Sequence, residues 1–166
     1  MPAGRLIQSM ARLVELHREM LELGERKTET IVHNRVAELN QIVNKESKLI
    51  KLITETDRER IEAIGQFLIA KGYKPNPYVT ISDLSRVVTR AEDKMALLAE
   101  QAELAGVLQK LKERNALNQQ LIEHSLSFID YSLNVMTGFD DNGATYQHPG
   151  QTTHYTQRSG LFDTRA

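Results

Sequence analysis

Cysteine and tryptophan are both missing from this 166-residue chain, and it holds only 9 glycines and 4 prolines. Without cysteine there can be no disulfide, no thiolate nucleophile and no zinc–thiolate site. So few glycines and prolines argue against an all-β fold, which needs many tight turns. Neither sign of charge prevails, with 21 Lys and Arg against 22 Asp and Glu. A nucleic-acid binder needs a basic face to displace counterions from phosphates, so none is expected as a partner. No run reaches the ~18 apolar residues of a membrane span. Residues 1–5 lead into an amphipathic pattern rather than the apolar core of a signal peptide. The expectation is one domain, cytoplasmic, with no membrane insertion.

Catalytic groupings are also lacking. The histidines are His17, His33, His124, His148 and His154, and none sits in a His-Glu-x-x-His arrangement. There is no glycine-rich phosphate loop. Asp140 and Asp141 adjoin a helix end beside Gly and Asn, where no apolar surroundings would raise a carboxyl pKa for acid–base work. Ser125 and Ser132 have no base at helical spacing, because His124 points about 100° away from Ser125. His148 and His154 have no acidic residue between them and make a poor metal site. No catalytic residue, metal or cofactor is expected, and the chain reads as a non-enzyme.

What the chain does contain is helical periodicity, punctuated once. Residues 72–77, Gly-Tyr-Lys-Pro-Asn-Pro, are the one strong breaker before Gly138. Two prolines one residue apart cannot lie inside a helix. In the first arm Leu6, Met10, Leu13, His17, Met20 and Gly24 recur at alternating steps of 4 and 3, as do Val36, Leu39, Val43, Glu46, Ile50, Ile53 and Asp57. The two rows differ in phase by one residue across His33-Asn34. No glycine or proline forces a turn there, so a continuous first arm is expected. Glu46 and Asp57 in the row read as register-setting or solvated positions. Thr80 is a candidate N-cap, with Asp83 three residues on. Behind it Leu84, Val88, Ala91, Met95, Leu98, Ala102 and Ala105 continue the alternation. The row slips near Gly106 and resumes as Leu108, Leu111, Asn115, Asn118 and Ile122. Residues 82–137 would make a rod of about 80 Å.

These patterns predict an all-α fold: a long antiparallel helical hairpin, coiled-coil-like, over residues 1–137 with a loop near 72–80. A break at His33-Asn34 would instead give a three- or four-helix bundle. Residues 138–166 form a polar flexible tail by composition. Between Asn142 and Gly160 there is no Leu, Ile, Val, Met or Phe, too little apolar surface to offset ordering entropy.

The most informative stretch is 121–136. On a wheel of 100° per residue, Leu121, Phe128, Tyr131 and Val135 fall on one arc, and Ile122, Leu126, Ile129, Leu133 and Met136 on its neighbour. Together they span roughly 200°, about twice what packing against one helix requires. A third segment of the chain, a second copy or another protein must cover the surplus. Leu161-Phe162 is the tail's one adjacent pair of large apolar residues, so the tail is a further candidate for shielding this face.

The run Leu108-x-x-Leu111-x-x-x-Asn115-x-x-Asn118-x-x-Leu121-Ile122-x-x-Ser125-Leu126-x-Phe128-Ile129 resembles the signature of FlgN-type flagellar export chaperones. Leu13, Leu16, Leu21, Glu25, Lys27, Thr28-Glu29 and Lys45-Glu46 of the first arm agree, and Leu161-Phe162-Asp163 looks like the end of Bacillus-type members. The resemblance implies a non-catalytic chaperone that binds the disordered ends of hook–filament junction proteins of the FlgK or FlgL type. It would prevent premature assembly and deliver these clients to components of the flagellar type III export gate. It also implies client binding in the C-terminal helical region, here Leu108, Leu111, Asn115, Asn118, Leu121, Ile122, Ser125, Leu126, Phe128, Ile129 and Tyr131. Gate docking is tied in the family to a tyrosine of this region, and Tyr131 is the one tyrosine of the second arm. The long polar stretch after Gly138 departs from the family's extended C-terminal helix. The residues alone leave a rival open, a structural coiled-coil protein whose wide face is a homo-oligomer seam.

Overall fold

A computed structural model describes residues 2–138. It contains four helices, α1 (Pro2–Val32), α2 (Val36–Ala70), α3 (Ile81–Val87) and α4 (Ala91–Thr137), and no strand among the described residues. The all-α expectation holds, in the form with three long helices that a break at His33-Asn34 gives. The described residues fall into two units, one up to Phe128 and one from Ile129 on. The expected flexible tail, the Leu161-Phe162 shield, the Asp140-Asp141 pair and the His148/His154 pair lie outside the described residues.

The first arm is not continuous. It turns at 33–35, where Asn34 takes a left-handed φ of 53°. Arg35 N–H donates to the Thr30 carbonyl at 2.8 Å and Asn34 N–H to that of Ile31 at 3.2 Å. This is a Schellman cap, which calls for a left-handed residue just past the helix end. Asparagine tolerates that conformation almost as glycine does, so a turn needed neither Gly nor Pro. Gly72, at φ 79°, ends α2 in the same way, with Tyr73 N–H donating to Leu68 and Gly72 N–H to Ile69, both at 2.9 Å.

The second arm is broken as well. Thr80 caps α3 as expected. Its hydroxyl oxygen accepts from Asp83 N–H at 3.1 Å, and the hydroxyl donates to Asp83 Oδ2 at 2.5 Å. That hydrogen bond holds the Asp83 carboxyl below its ordinary pKa. But α3 ends at Val87, Val88 is extended, and α4 starts at Ala91. The rod is therefore interrupted, and a row extended from Leu84 through Val88 loses its phase.

The inward rows differ from the expected ones accordingly. In α4, Leu97, Leu104, Leu111 and Asn118 face inward at steps of seven, with Val107 also buried. Met95, Leu98, Ala102 and Ala105 are exposed, and there is no slip at Gly106. In α2 the buried row is Ile42, Leu49, Thr56 and Ala63, whereas Val36, Val43 and Ile50 are exposed. Ile42-Val43 and Leu49-Ile50 are adjacent apolar pairs. Periodicity marks the pair, and packing decides which member goes in. The first half of α1 behaves as read, with Leu6, Met10, Leu13 and Met20 all buried.

Ion pairs and hydrogen bonds give the topology of the first unit. Arg5 meets Gln66 at 2.8 Å and Lys27 meets Glu46 at 2.7 Å, so α1 and α2 are antiparallel. Arg18 meets Glu103 at 2.6 Å and Asn118 reaches Gly24 at 2.9 Å, so α4 runs parallel to α1. The main core lies at the α3 end. There Leu6, Ile64, Phe67, Leu84 and Leu97 come from all four helices. A smaller cluster, Leu16, Met20 and Leu49, lies towards the α1–α2 turn.

Candidate functional site

The upper part of α4 is tied to α1 by polar contacts. Thr28 hydroxyl donates to Asn118 Oδ1 at 2.7 Å, while Asn118 Nδ2 donates to the Gly24 carbonyl at 2.9 Å. Arg114 donates to Thr28 Oγ1 at 3.4 Å and lies 3.8 Å from Glu25. The helices approach closely because Gly24 has no side chain: a Cβ there would meet Arg114 Cγ at 3.1 Å. Asn118 is only 3% exposed, and its amide is engaged inside the bundle. Leu111 is half-buried against the small core cluster.

These contacts also show where cover ends. Gly24 is level with Asn118, and α1 stops at Val32, eight residues on. The level of Val32 on α4 is therefore near residue 126. Leu121 and Ile122 are half-buried, Ser125 is exposed, Leu126 is 57% exposed and Phe128 is 70% exposed. In the second unit the same helix carries Ile129, Tyr131, Leu133, Val135 and Met136, all exposed, with Tyr131 at 62%. The turns from Leu121 on are held by local bonds. Gln119 Nε2 donates to Glu123 at 2.9 Å, Ser125 hydroxyl to the Leu121 carbonyl at 2.9 Å, and Ser127 hydroxyl to the Glu123 carbonyl at 3.0 Å. A helix already nucleated in a packed stem needs only propagation to continue.

The expected site residues thus separate into groups. Leu126, Phe128, Ile129 and Tyr131 are open to solvent with their apolar surface uncovered. Leu121, Ile122 and Ser125 stand at the margin. Leu108 and Asn115, both exposed, face a furrow between α2 and α4 with α1 as its floor. Asn118 and Leu111 pack against α1 and the small core cluster and also line this furrow.

Sequence reasoning had the α4 wall of that furrow, Leu108, Leu111, Asn115, Asn118 and Ile122, and missed its α2 side and α1 floor. Its α2 side brings in Ile50, Ile53 and Thr54, and its α4 side Leu104, Ala105 and Leu108. Two cavities of ≈ 540 and ≈ 470 Å³ share His17, Ile53, Thr54 and Leu108 and so form one trough. The signal was present in the adjacent apolar pair Leu49-Ile50. The second member of the pair is surplus to the core and ends on the furrow.

Among the described residues no group of His, Asp and Glu could hold a metal ion, and no helix is long and apolar enough to cross a membrane. The geometry offers apolar surface for another chain. Comparison with known proteins agrees in kind. Residues 1–154 match the family described as FlgN protein. Over the whole length of both chains, the sequence is 31% identical to a protein of Bacillus subtilis (strain 168) described as uncharacterized protein YvyG. No solved structure matches the chain.

Proposed function

The chain belongs to the FlgN family of flagellar export chaperones, and from that premise we propose that it binds, in the cytoplasm, the disordered terminal segments of hook–filament junction proteins. It keeps them from assembling early and hands them to the type III export gate, with no catalytic step. The observation that carries this reading is the uncovered apolar surface of α4 at Leu126, Phe128, Ile129 and Tyr131. A soluble protein that leaves such side chains in water forgoes about 1.5–3 kcal/mol for each one it could have buried. A client segment folding as an amphipathic helix on this surface recovers that energy, less the cost of its own ordering. Leu121, Ile122 and Ser125 would border the contact, and Tyr131 is the candidate for gate docking. Asn118 would act from within, by fixing α4 on α1.

The test is calorimetric titration of the full chain with the terminal segment of a junction protein. The double substitution Phe128→Asp and Ile129→Asp should weaken binding at least 100-fold and leave far-UV helicity near wild type. Loss of helicity in that variant would mean that the pair is packed, and undiminished binding would mean that the segment lies elsewhere. Either result rejects the assignment.

A further inference from the structure

The α4 row that lines the trough is Leu108, Leu111, Asn115, Asn118 and Ile122. In sequence it goes on as Leu126, Ile129, Leu133 and Met136. From Leu108 to Met136 the steps are 3, 4, 3, 4, 4, 3, 4 and 3. They read the same in both directions about Ile122, a property that no residue of an unbroken 4-3 row has. Such a row meets its own copy when two identical helices lie antiparallel. Leu108 then falls opposite Met136, Leu111 opposite Leu133, Asn115 opposite Ile129 and Asn118 opposite Leu126, with Ile122 on the two-fold axis. Each pair joins the first position of a 3-4 repeat to the second, the a-to-d meeting of an antiparallel coiled coil.

The two halves of the row differ as reciprocal pairing requires. The first half walls the trough, with Ile50 and Ile53 of α2 across from it. The second half lies open, with Leu133 54% and Met136 83% exposed. One copy's second half can fill the other's trough, and the exchange closes as an isologous dimer. The flanking charges agree. Lys112 follows Leu108 by four residues and Asp130 follows Leu126 by four, so by sequence they share one edge of the row. In the antiparallel pair Lys112 faces Asp130 of the second copy, twice by symmetry, and Gln119 faces Glu123, so no like charges meet on that edge. Both Lys112 and Asp130 are exposed and stand in no ion pair among the described residues. On one helix they are too far apart to meet each other. We propose that two copies of this chain pair through α4, antiparallel about Ile122, each seating Leu126, Ile129, Leu133 and Met136 in the other's trough. An unrelated helix would need only the trough's own half of the row; the mirrored second half points to a second copy. The pairing does not rest on the chaperone reading. It covers one apolar arc of α4 and leaves Phe128 and Tyr131, on the other arc, outside.

The absence of native cysteine makes the axis testable in the full-length chain. Under mild oxidation Ile122→Cys should give a disulfide-linked dimer at least tenfold faster than Gln120→Cys, which lies on the other face of α4. Sedimentation velocity should show a monomer–dimer equilibrium that Leu133→Asp, at an exposed position, weakens at least 100-fold. Lys112→Glu and Asp130→Lys should each weaken the dimer at least fivefold, because like charges then meet twice. An equimolar mixture of these two variants should regain wild-type affinity, since the mixed pair matches both contacts. A monomer at every concentration, a dimer indifferent to Leu133→Asp, no recovery in the mixture, or equal cross-linking of Ile122→Cys and Gln120→Cys each overturns the proposal. Client binding is read separately, by the titration of Phe128→Asp with Ile129→Asp, so either reading can fail while the other stands.

Discussion

At the α3 end of the bundle, Leu6, Ile64, Phe67, Leu84 and Leu97 meet with hardly any exposed surface. Towards the α1–α2 turn the buried cluster shrinks to Leu16, Met20 and Leu49. Beyond it the helices are joined by Thr28, Asn118, Arg114 and the Lys27–Glu46 pair. Dispersion and burial hold the first end, where four helices contribute side chains. Directional hydrogen bonds hold the second, and the trough between α2 and α4 runs from there down to Met10 and Ile81 at the edge of the main core. Hydrogen bonds fix position at small net energy. The second end can therefore be well placed without being closed, which suits the proposed role of receiving another chain.

The largest test of this contrast is Phe67→Ala. Truncating a buried aromatic side chain at the apolar end should cost about 3–5 kcal/mol, read as a lower urea midpoint. At the polar end Asn118→Ala should cost about 1–3 kcal/mol, because both of its hydrogen bonds to α1 are lost and the Thr28 hydroxyl has only the Gly24 carbonyl of its own helix left to donate to. Pairing it with Thr28→Val should cost less than the two separate losses added together, since one bond is shared. If Asn118→Ala proves as damaging as Phe67→Ala, the second end is not the weaker one. Next comes the half-buried ion pair. Lys27→Met alone should cost about 1–2 kcal/mol by leaving Glu46 unmatched, and adding Glu46→Leu should recover most of it.

The smallest effect concerns acid. Hydrogen bonds hold two carboxyls below their ordinary pKa, Asp83 through the Thr80 hydroxyl and Glu103 through Arg18. A depressed folded-state pKa contributes stability above the unfolded value, and that contribution is lost as pH falls through the folded one. Both groups are at the surface, so the effect is screened and slight. Asp83→Asn should flatten the acid limb of stability against pH a little and leave neutral stability nearly unchanged. A steeper acid limb in this variant would contradict the assignment.

Much of this was legible in one dimension. Alternating 4-3 spacing marked helices, Gly72 with the two prolines after it marked the principal loop, and Thr80 with Asp83 marked a cap. The surplus apolar width of 121–136 was visible on a wheel, and its large apolar side chains from Leu126 on stand exposed, while Leu121 and Ile122 are half-buried. The Asn-x-x-Asn-x-x-Leu-Ile run pointed to the FlgN family, and the family match over residues 1–154 agrees. Three features were not legible for identifiable reasons. Asn34 turns the chain because its backbone tolerates a left-handed φ, a property shared by many asparagines that do not turn. The break after Val87 has no glycine or proline to announce it. The choice between Ile42 and Val43, or Leu49 and Ile50, depends on where a neighbouring helix lies.

The amino-acid order by itself determined that this protein is helical, lacks thiol chemistry, and has more apolar surface on its last helix than one neighbour could cover. Those properties follow from local spacing and side-chain type. Tertiary structure decided which member of each apolar pair enters the core, and that the Asn118 amide bonds to Thr28 and Gly24 of α1. It also decided that α2 and α4 flank an open trough. These outcomes depend on contacts between residues far apart in the chain, whose geometry exists only once the helices have packed.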